Sequence, residues 1–295
     1  MKYTLRHLEV FVAVCHYQNV SQAADYLAMS QSACSSALKD LEAQFDVVLF
    51  DRVGKRLQIN ELGKYLRPKA EAILAQAKEL EDELINHEKV GRLNLGATLS
   101  IGNYLCINLI QSFMRAHPGV QVNLEVANTT NIAREILNFE IDLGMIEGEF
   151  HHPDLSIKPW MDDELVCFCA PEHPLARAGN LSIDDAVGGE WILREPGSGT
   201  RQTFDRAFHN LLPNINVVLE LQHTEAIKRA VEKGLGISCL SRITLEEAFK
   251  RGTLVPLTAS GFDLQRKLYM VVHKQKYLSS AMMQWLTLCG LEISG

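Results

Sequence analysis

Between residues 60 and 90 the chain reads as one long helix, "NELGKYLRPKAEAILAQAKELEDELINHEKV", and its apolar positions leave it little freedom. Leu62, Leu66, Ala70, Ile73, Ala77, Leu80 and Leu84 recur at 4-4-3-4-3-4 spacing, close to the seam period of a coiled coil. So long a stripe needs more covering surface than the small domain before it offers, so residues 61–90 are expected to form a linker helix that pairs with a second copy. Asn60 is placed to cap it. Pro68 should kink it or change its direction.

The two flanks of this helix obey different patterns. Before it lie three short helical segments. "LRHLEVFVAVCHY" sets Leu5, Leu8, Val12 and Cys15 at 3/4 spacing, "SQAADYLA" opens on Ser21 as its N-cap, and Ser30 can cap the third. At about 100° per residue, Cys34, Ala37, Leu38, Leu41 and Phe45 share one side of the third helix. Ser32, Ser35, Ser36, Lys39 and Ala43 share the other, so its serines form an exposed face. "VVLFDRVGKRLQIN" then makes a small hairpin carrying Arg52, Lys55 and Arg56. Helix, turn, polar helix and basic hairpin together predict a winged helix-turn-helix over residues 1–60.

From Gly91 strands and helices alternate. "RLNLGAT", "VQVNLEVA" and "IDLGMIEG" read as strands separated by helices, a βαβαβ unit with a parallel sheet. "ELVCFCA", "EWILRE", "NVVLELQ" and "LGISCLS" repeat the theme, with helices from Gly199 to Leu211 and over "TEAIKRAVEKG". "KLYMVVH" and the helix near "SSAMMQWLTLC" return to the first unit. The expected fold class is α/β, with an all-α-rich N-terminal domain and a two-lobed α/β domain over 91–295. Lobe I takes about 91–162 and 267–295, and lobe II about 163–266. Ligands of such sheets bind in the cleft beside strand C-terminal ends.

Charge and composition narrow the function classes. The net charge of -7 argues against nucleic acid, but residues 1–67 hold eight Lys/Arg against seven Asp/Glu, so the acidity belongs to the remainder. Charge therefore permits DNA binding without showing it. The seven cysteines, at 15, 34, 106, 167, 169, 239 and 289, have no CxxC spacing and sit mostly in apolar runs, as reduced buried thiols do. No metal site is expected, His151 and His152 included. No apolar run is long enough to span a membrane and the first residues do not resemble a signal peptide. The expected location is cytoplasmic.

The segments "LRHLEVFVAV", "SQAADYLAMSQSACSSALKDLE" and "LFDRVGKRLQINELG", followed by the two-lobed remainder, resemble a LysR-type transcriptional regulator across the whole chain. "LSIGNY" and "REPGSGTR" bring it near a YeiE-like and CysB-like branch of that family. The resemblance implies a bacterial DNA-binding protein and a linker-helix homodimer, often assembled into a homotetramer. It also implies RNA polymerase as a partner and an effector domain shaped like a type 2 periplasmic binding protein. Family recognition helices frequently carry proline at the place of Ser32 and arginine at the place of Ser36. Losing that arginine removes one expected DNA contact, so this helix should lean more on its wing. Asn60 stands where the family usually has threonine.

Two sets of candidate site residues follow. For double-stranded operator DNA, Gln31 can pair bidentately with adenine. Ser32, Ser35 and Ser36 offer hydroxyls, and Lys39, Arg52, Lys55 and Arg56 supply phosphate contacts. For a small effector, Thr98 and Ser100 precede one helix N-terminus, and Ser198, Gly199, Thr200 and Arg201 open another. Such donors suit a small anion, either an oxyanion such as sulfite or sulfate, or a small carboxylate. Glu147 ends a strand facing the cleft, where it must be protonated, paired with Arg201, or accepting from a protonated ligand. Asn128, Thr129 and Thr224 are further candidates. No cofactor, catalytic residue or metal ligand is expected.

Two other classes compete. An α/β enzyme is disfavoured because "PGSGT" is neither GxSxG nor GxxxxGK and "GATLSIGN" lacks GxGxxG spacing. A transport-type solute-binding protein would fit residues 91–295 alone, but not the attached winged helix.

Overall fold

The computed structural model describes residues 2–53, 56–85 and 91–291. The chain divides into two compact bodies, residues 1–91 with 274–283, and residues 92–273 with 284–295. Residues 274–283, expected in lobe I, thus belong with the first body.

The first body contains α1 (Leu5–Tyr17), α2 (Val20–Tyr26), α3 (Gln31–Phe45), the hairpin of β1 (Phe50–Val53) and β2 (Arg56–Ile59), and α4 (Glu61–Ile85). Its core is Leu8, Phe11, Val14, Ala24, Cys34, Leu38 and neighbours. The N-cap of α2 is Asn19, not Ser21. The Asn19 side-chain Oδ1 accepts from the N–H groups of both Ser21 and Gln22 (2.8 and 3.2 Å), which leaves Ser21 inside the first turn. Ser30 caps α3 as expected, accepting from Ala33 N–H at 3.2 Å. Phe45 does not reach the core and is 46% exposed. The wing is tied to the three-helix unit where Leu57 N–H donates to Gln18 O at 3.2 Å. Asn60 caps α4 through Gly63 N–H (2.8 Å) and donates back to Val48 O (2.7 Å). α4 runs unbroken through Pro68, whose ring is buried. Leu66, Ala70 and Leu74 pack on the core, and that contact outweighs the single backbone bond a proline removes. The stretch of the expected helix over 86–90 lies outside the described residues.

The second body holds, in chain order, β3 (Arg92–Thr98), α5 (Leu99–Ile101), a π-helical turn (Gly102–Cys106), α6 (Ile107–Ala116), β4 (Gln121–Ala127), α7 (Thr129–Leu137) and β5 (Leu143–Glu147). After these come β6 (Leu155–Cys169), α8 (Pro174–Ala178), α9 (Ile183–Gly188), β7 (Glu190–Arg194), α10 (Gly199–Ala207), β8 (Asn216–Leu221) and α11 (Thr224–Glu232). It closes with β9 (Ile237–Ser241), α12 (Arg242–Arg251), β10 (Val255–Leu257), β11 (Gln265–His273) and α13 (Ser280–Leu288), the last beginning in the first body. Strand order is β4-β3-β5-β11-β6-β9-β7-β8, with β10 on β6.

Each βαβαβ unit is parallel as expected, and the sheet as a whole is mixed. β3 pairs parallel with β4 and β5, and β7 with β8 and β9, but β6 and β11 run antiparallel to each other and to their flanking strands. β6 also begins at Leu155, nine residues before the expected Glu164. Pro159 and the charged "MDDE" hide this half in the sequence. In the structure Pro159 sits opposite Tyr269, where the β11 register slips by a bulge. The first half of β6 pairs with β11 and the second with β9, so the two long strands carry the chain between two βαβ lobes. α10 ends at Ala207, short of the expected Leu211. Trp191, Phe204 and Phe208 fill lobe II, and Trp285 of α13 meets Phe113 edge-on in lobe I. Thr98, Glu147 and Arg194 all lie at strand C-terminal ends, with α5 beginning directly after Thr98 and α10 five residues after Arg194.

Candidate functional site

Two surfaces gather the candidate residues, one in each body. On α3, Gln31 is the first helical residue and is exposed, as are Ser32, Ser36 and Lys39, while Ser35 is half-buried. Ser32 and Ser30 hydroxyls lie 3.1 Å apart, and Ser36 donates to Asp40 at 3.4 Å. Cys34, Leu38 and Leu41 anchor the opposite side. Arg52 is exposed on β1. Lys55 lies outside the described residues, as does the Arg56 side chain. The polar face is thus presented outward by a helix held from behind, beside a hairpin.

In the second body Ser100, Thr129 and Thr200 converge on a glutamate of the chain itself. Glu147, 1% exposed, accepts from Ser100 N–H at 3.0 Å through one oxygen. Its other oxygen takes the Thr200 hydroxyl at 3.0 Å and faces Arg266 Nη1 at 2.9 Å. The Thr129 hydroxyl donates to the Glu147 backbone carbonyl at 3.0 Å. Gly199 is required here, since a Cβ on it would lie 1.9 Å from that same carbonyl oxygen. Asn128 caps α7 and donates to Glu195 at 3.1 Å. The Thr224 hydroxyl is buried without a hydrogen-bond partner, the buried Thr98 hydroxyl lies near Glu147 and helps lower its pKa, and the Ser198 side chain, 3% exposed, makes no cap bond to α10. Donors from sequence positions about a hundred apart therefore meet, and some remain unused.

Arg201 does not join them. Its guanidinium turns to Asp205 (2.9 Å), the Arg194 carbonyl (2.9 Å) and Glu220 (3.1 Å). The partner of Glu147 is instead Arg266, fully buried on β11, which also holds Asp163 of β6 at 2.7 Å. Asp163 in turn takes the Ser241 hydroxyl at 2.8 Å. Burial alone would raise the Glu147 carboxyl; Arg266, then Arg194 and the bond from Ser100 overcome it and hold the pKa at about 2. The sequence does carry a signal for Arg266. In "QRKLYMVVH" it shares the inward face with Leu268 and Met270, and a charge on a buried face needs partners.

A second polar cluster crosses between lobes. Tyr104, on the π-helical turn, donates to Glu225, and buried Lys228 donates to Tyr104 Oη (2.9 Å) and Thr244 O (3.0 Å). Among the described residues no group of His, Cys, Asp or Glu could hold a metal, and no helix is long and apolar enough to cross a membrane.

A winged helix-turn-helix with a solvent-facing polar helix, joined to a two-lobed α/β domain with donors gathered at strand ends, defines a ligand-responsive transcriptional regulator. The chain belongs to the LysR family: residues 5–64 match the bacterial regulatory helix-turn-helix protein of that family, and residues 86–291 its LysR substrate binding domain. It is 43% identical to the HTH-type transcriptional regulator YeiE of Escherichia coli K12, over 98% of both chains. The Synechocystis CcmR regulatory domain, solved in complex with 2-PG, is 34% identical and superposes with a TM-score of 0.63, covering 68% of this chain and 95% of that one. Full-length OxyR of Pseudomonas aeruginosa, 21% identical, shares the fold with a TM-score of 0.71 over 98% of this chain and 94% of that one. These relatives are regulators, not enzymes. Members of the family bind operator DNA and act as oligomers.

Proposed function

We propose that this regulator senses a small anion, an oxyanion such as sulfite or sulfate or a small carboxylate, at the cluster around Glu147, and that binding alters its grip on operator DNA. The observation that carries the reading is the convergence of Ser100 N–H, Thr200 and Arg266 on one buried carboxylate, with Thr98 close enough to help hold that carboxylate ionised. Such a setting is built to hold negative oxygen. Arg266 is already shared between Glu147 and Asp163, so an incoming anion competes for the donors that Glu147 holds. CcmR, whose solved domain carries 2-phosphoglycolate, supports an anionic ligand by relationship.

On the DNA side, Gln31, Ser32, Ser35 and Ser36 read or position the major groove, while Lys39, Arg52, Lys55 and Arg56 contact phosphate. Leu62, Ile73, Leu80 and Leu84 are exposed along α4, and an apolar pocket of about 390 Å³ beside them is lined by Tyr3, Phe45 and Leu62 among others. Both support a homodimer through residues 61–90, paired into a homotetramer. RNA polymerase as partner and a cytoplasmic location belong to the same reading.

The test is calorimetry on the full chain with sulfite, sulfate and acetate, comparing wild type with Thr98→Val/Thr200→Val. The reading expects one anion to bind the wild type and to lose at least about tenfold in affinity in the double variant. Undiminished affinity would remove these hydroxyls from the site.

A further inference from the structure

Residues 274–283 leave the second body at His273, lie in the first body, and re-enter the second at Gln284. Within the first body they run along α4. The Tyr277 hydroxyl donates to Glu79 Oε2 at 2.7 Å, and Glu79 Oε1 accepts the N–H of Ser280, the first residue of α13, at 2.9 Å. Glu79 thereby caps a helix that begins about two hundred residues later in the chain. Two turns earlier on α4, the charge of Lys276 acts on Glu71 together with Arg67, whose guanidinium lies 3.8 Å from the carboxylate. Both Glu71 and Glu79 are partly buried.

The geometry of α4 gives this contact a consequence. At about 100° per residue, Glu71, Ala75 and Glu79 fall on the side of the helix opposite Ile73, Ala77, Leu80 and Leu84. One face is gripped by residues 274–283 and the other presents the apolar stripe. The grip is covalently continuous with β11, which carries Arg266, and with α13, whose Trp285 is buried against Phe113. Arg266 lies eight residues before the first residue of the grip.

We propose that residues 274–283 form a strap through which the effector-binding body sets the rotation of α4, with Glu79 the positioning residue that fastens it. A shift of β11 or α13 pulls on Tyr277 and Ser280, turns the helix at Glu79, and re-aims the stripe that pairs the copies. The winged helices, joined to α4 through Asn60, move with it. This inference rests on the regulatory reading above for its purpose, but not on the identity of the effector.

The experiment uses the full chain and an operator selected with it from a random-sequence pool. Wild type, Glu79→Gln and Tyr277→Phe are compared without any effector, by DNA bending in a circular-permutation gel and by affinity for a single half-site. Tyr277→Phe removes one hydroxyl and guards against a folding defect in Glu79→Gln. The strap requires that both variants change the bend while half-site affinity stays within about twofold, since coupling and not the DNA face is altered. A bend identical to wild type in both variants overturns it. Sulfite, sulfate and acetate are then added. A wild type deaf to all three, with variants that still alter the bend, discards the anion reading and leaves the strap standing.

Discussion

Arg266 is the residue on which the effector domain turns. It is buried with two carboxylates and no water-facing side, so it compensates Glu147 and Asp163 at once. Replacing it with a methionine of similar length leaves two carboxylates without their cation. Arg266→Met is expected to destabilise the second body by about 3–5 kcal/mol, read as an earlier urea transition of that body. A variant as stable as the wild type would mean the carboxylates are satisfied without it. Glu71 presents the opposite case. Burial pushes its carboxyl up to about 6, while Arg67 and Lys276 draw it down only in part. Below an unfolded pKa near 4.5 the group is neutral in both states and costs nothing. As pH rises through about 6 the folded state must hold a buried charge, and stability falls. Glu71→Gln is therefore expected to gain on the order of 1–2 kcal/mol at pH 7 and to be neutral at pH 4. Thermal unfolding at the two pH values checks it, and equal midpoints for variant and wild type at pH 7 would contradict the sign.

At the scale of elements, α3 shows how a helix can be read from its faces. Period alone separated Cys34, Leu38 and Leu41 from Ser32, Ser36 and Lys39, because a surface helix buries one stripe whatever it packs against. Ser35→Ala is expected to weaken operator binding several-fold in a gel-shift titration while sedimentation shows the same oligomer; unchanged operator affinity would take Ser35 off the DNA face. Ser36 donates to Asp40, so its hydroxyl is partly engaged in the free protein. Other elements were illegible for identifiable reasons. The first half of β6 contains Pro159 and a run of charge, and only pairing with β11 makes it a strand. Asn19 outcompeted Ser21 as a cap because its longer amide reaches two N–H groups. The helices α8, α9 and α12 fill the spaces between strands and lack a long apolar period. Arg201 read as a cleft donor from its neighbours in "GSGTR", but one helical turn places it beside Asp205 instead.

The whole molecule joins a DNA-reading body to a sensing body, and what passes between them is legible only in three dimensions. The division near residue 91 follows from the change of hydrophobic period, a local property. The strap does not, because the connector "HKQKYLSS" carries no period and the partner of Tyr277 and Ser280 lies on α4, far back in the chain. The same holds for the meeting of Glu147 and Thr200, whose residue types are readable in the sequence while their common partner Arg266 is not. A regulator of this build works if its effector favours one arrangement of the lobes over another, since a ligand shifts an equilibrium only by its differential affinity for the two states.

That statement can be measured in one titration. Fluorescence anisotropy of a labelled operator against the full chain, with and without sulfite, sulfate or acetate, gives the coupling directly. At least one anion is expected to shift wild-type operator affinity by about fivefold or more, with Thr98→Val/Thr200→Val binding the operator normally and showing no shift. An operator affinity indifferent to all three anions, or an equal shift in the double variant, contradicts the account.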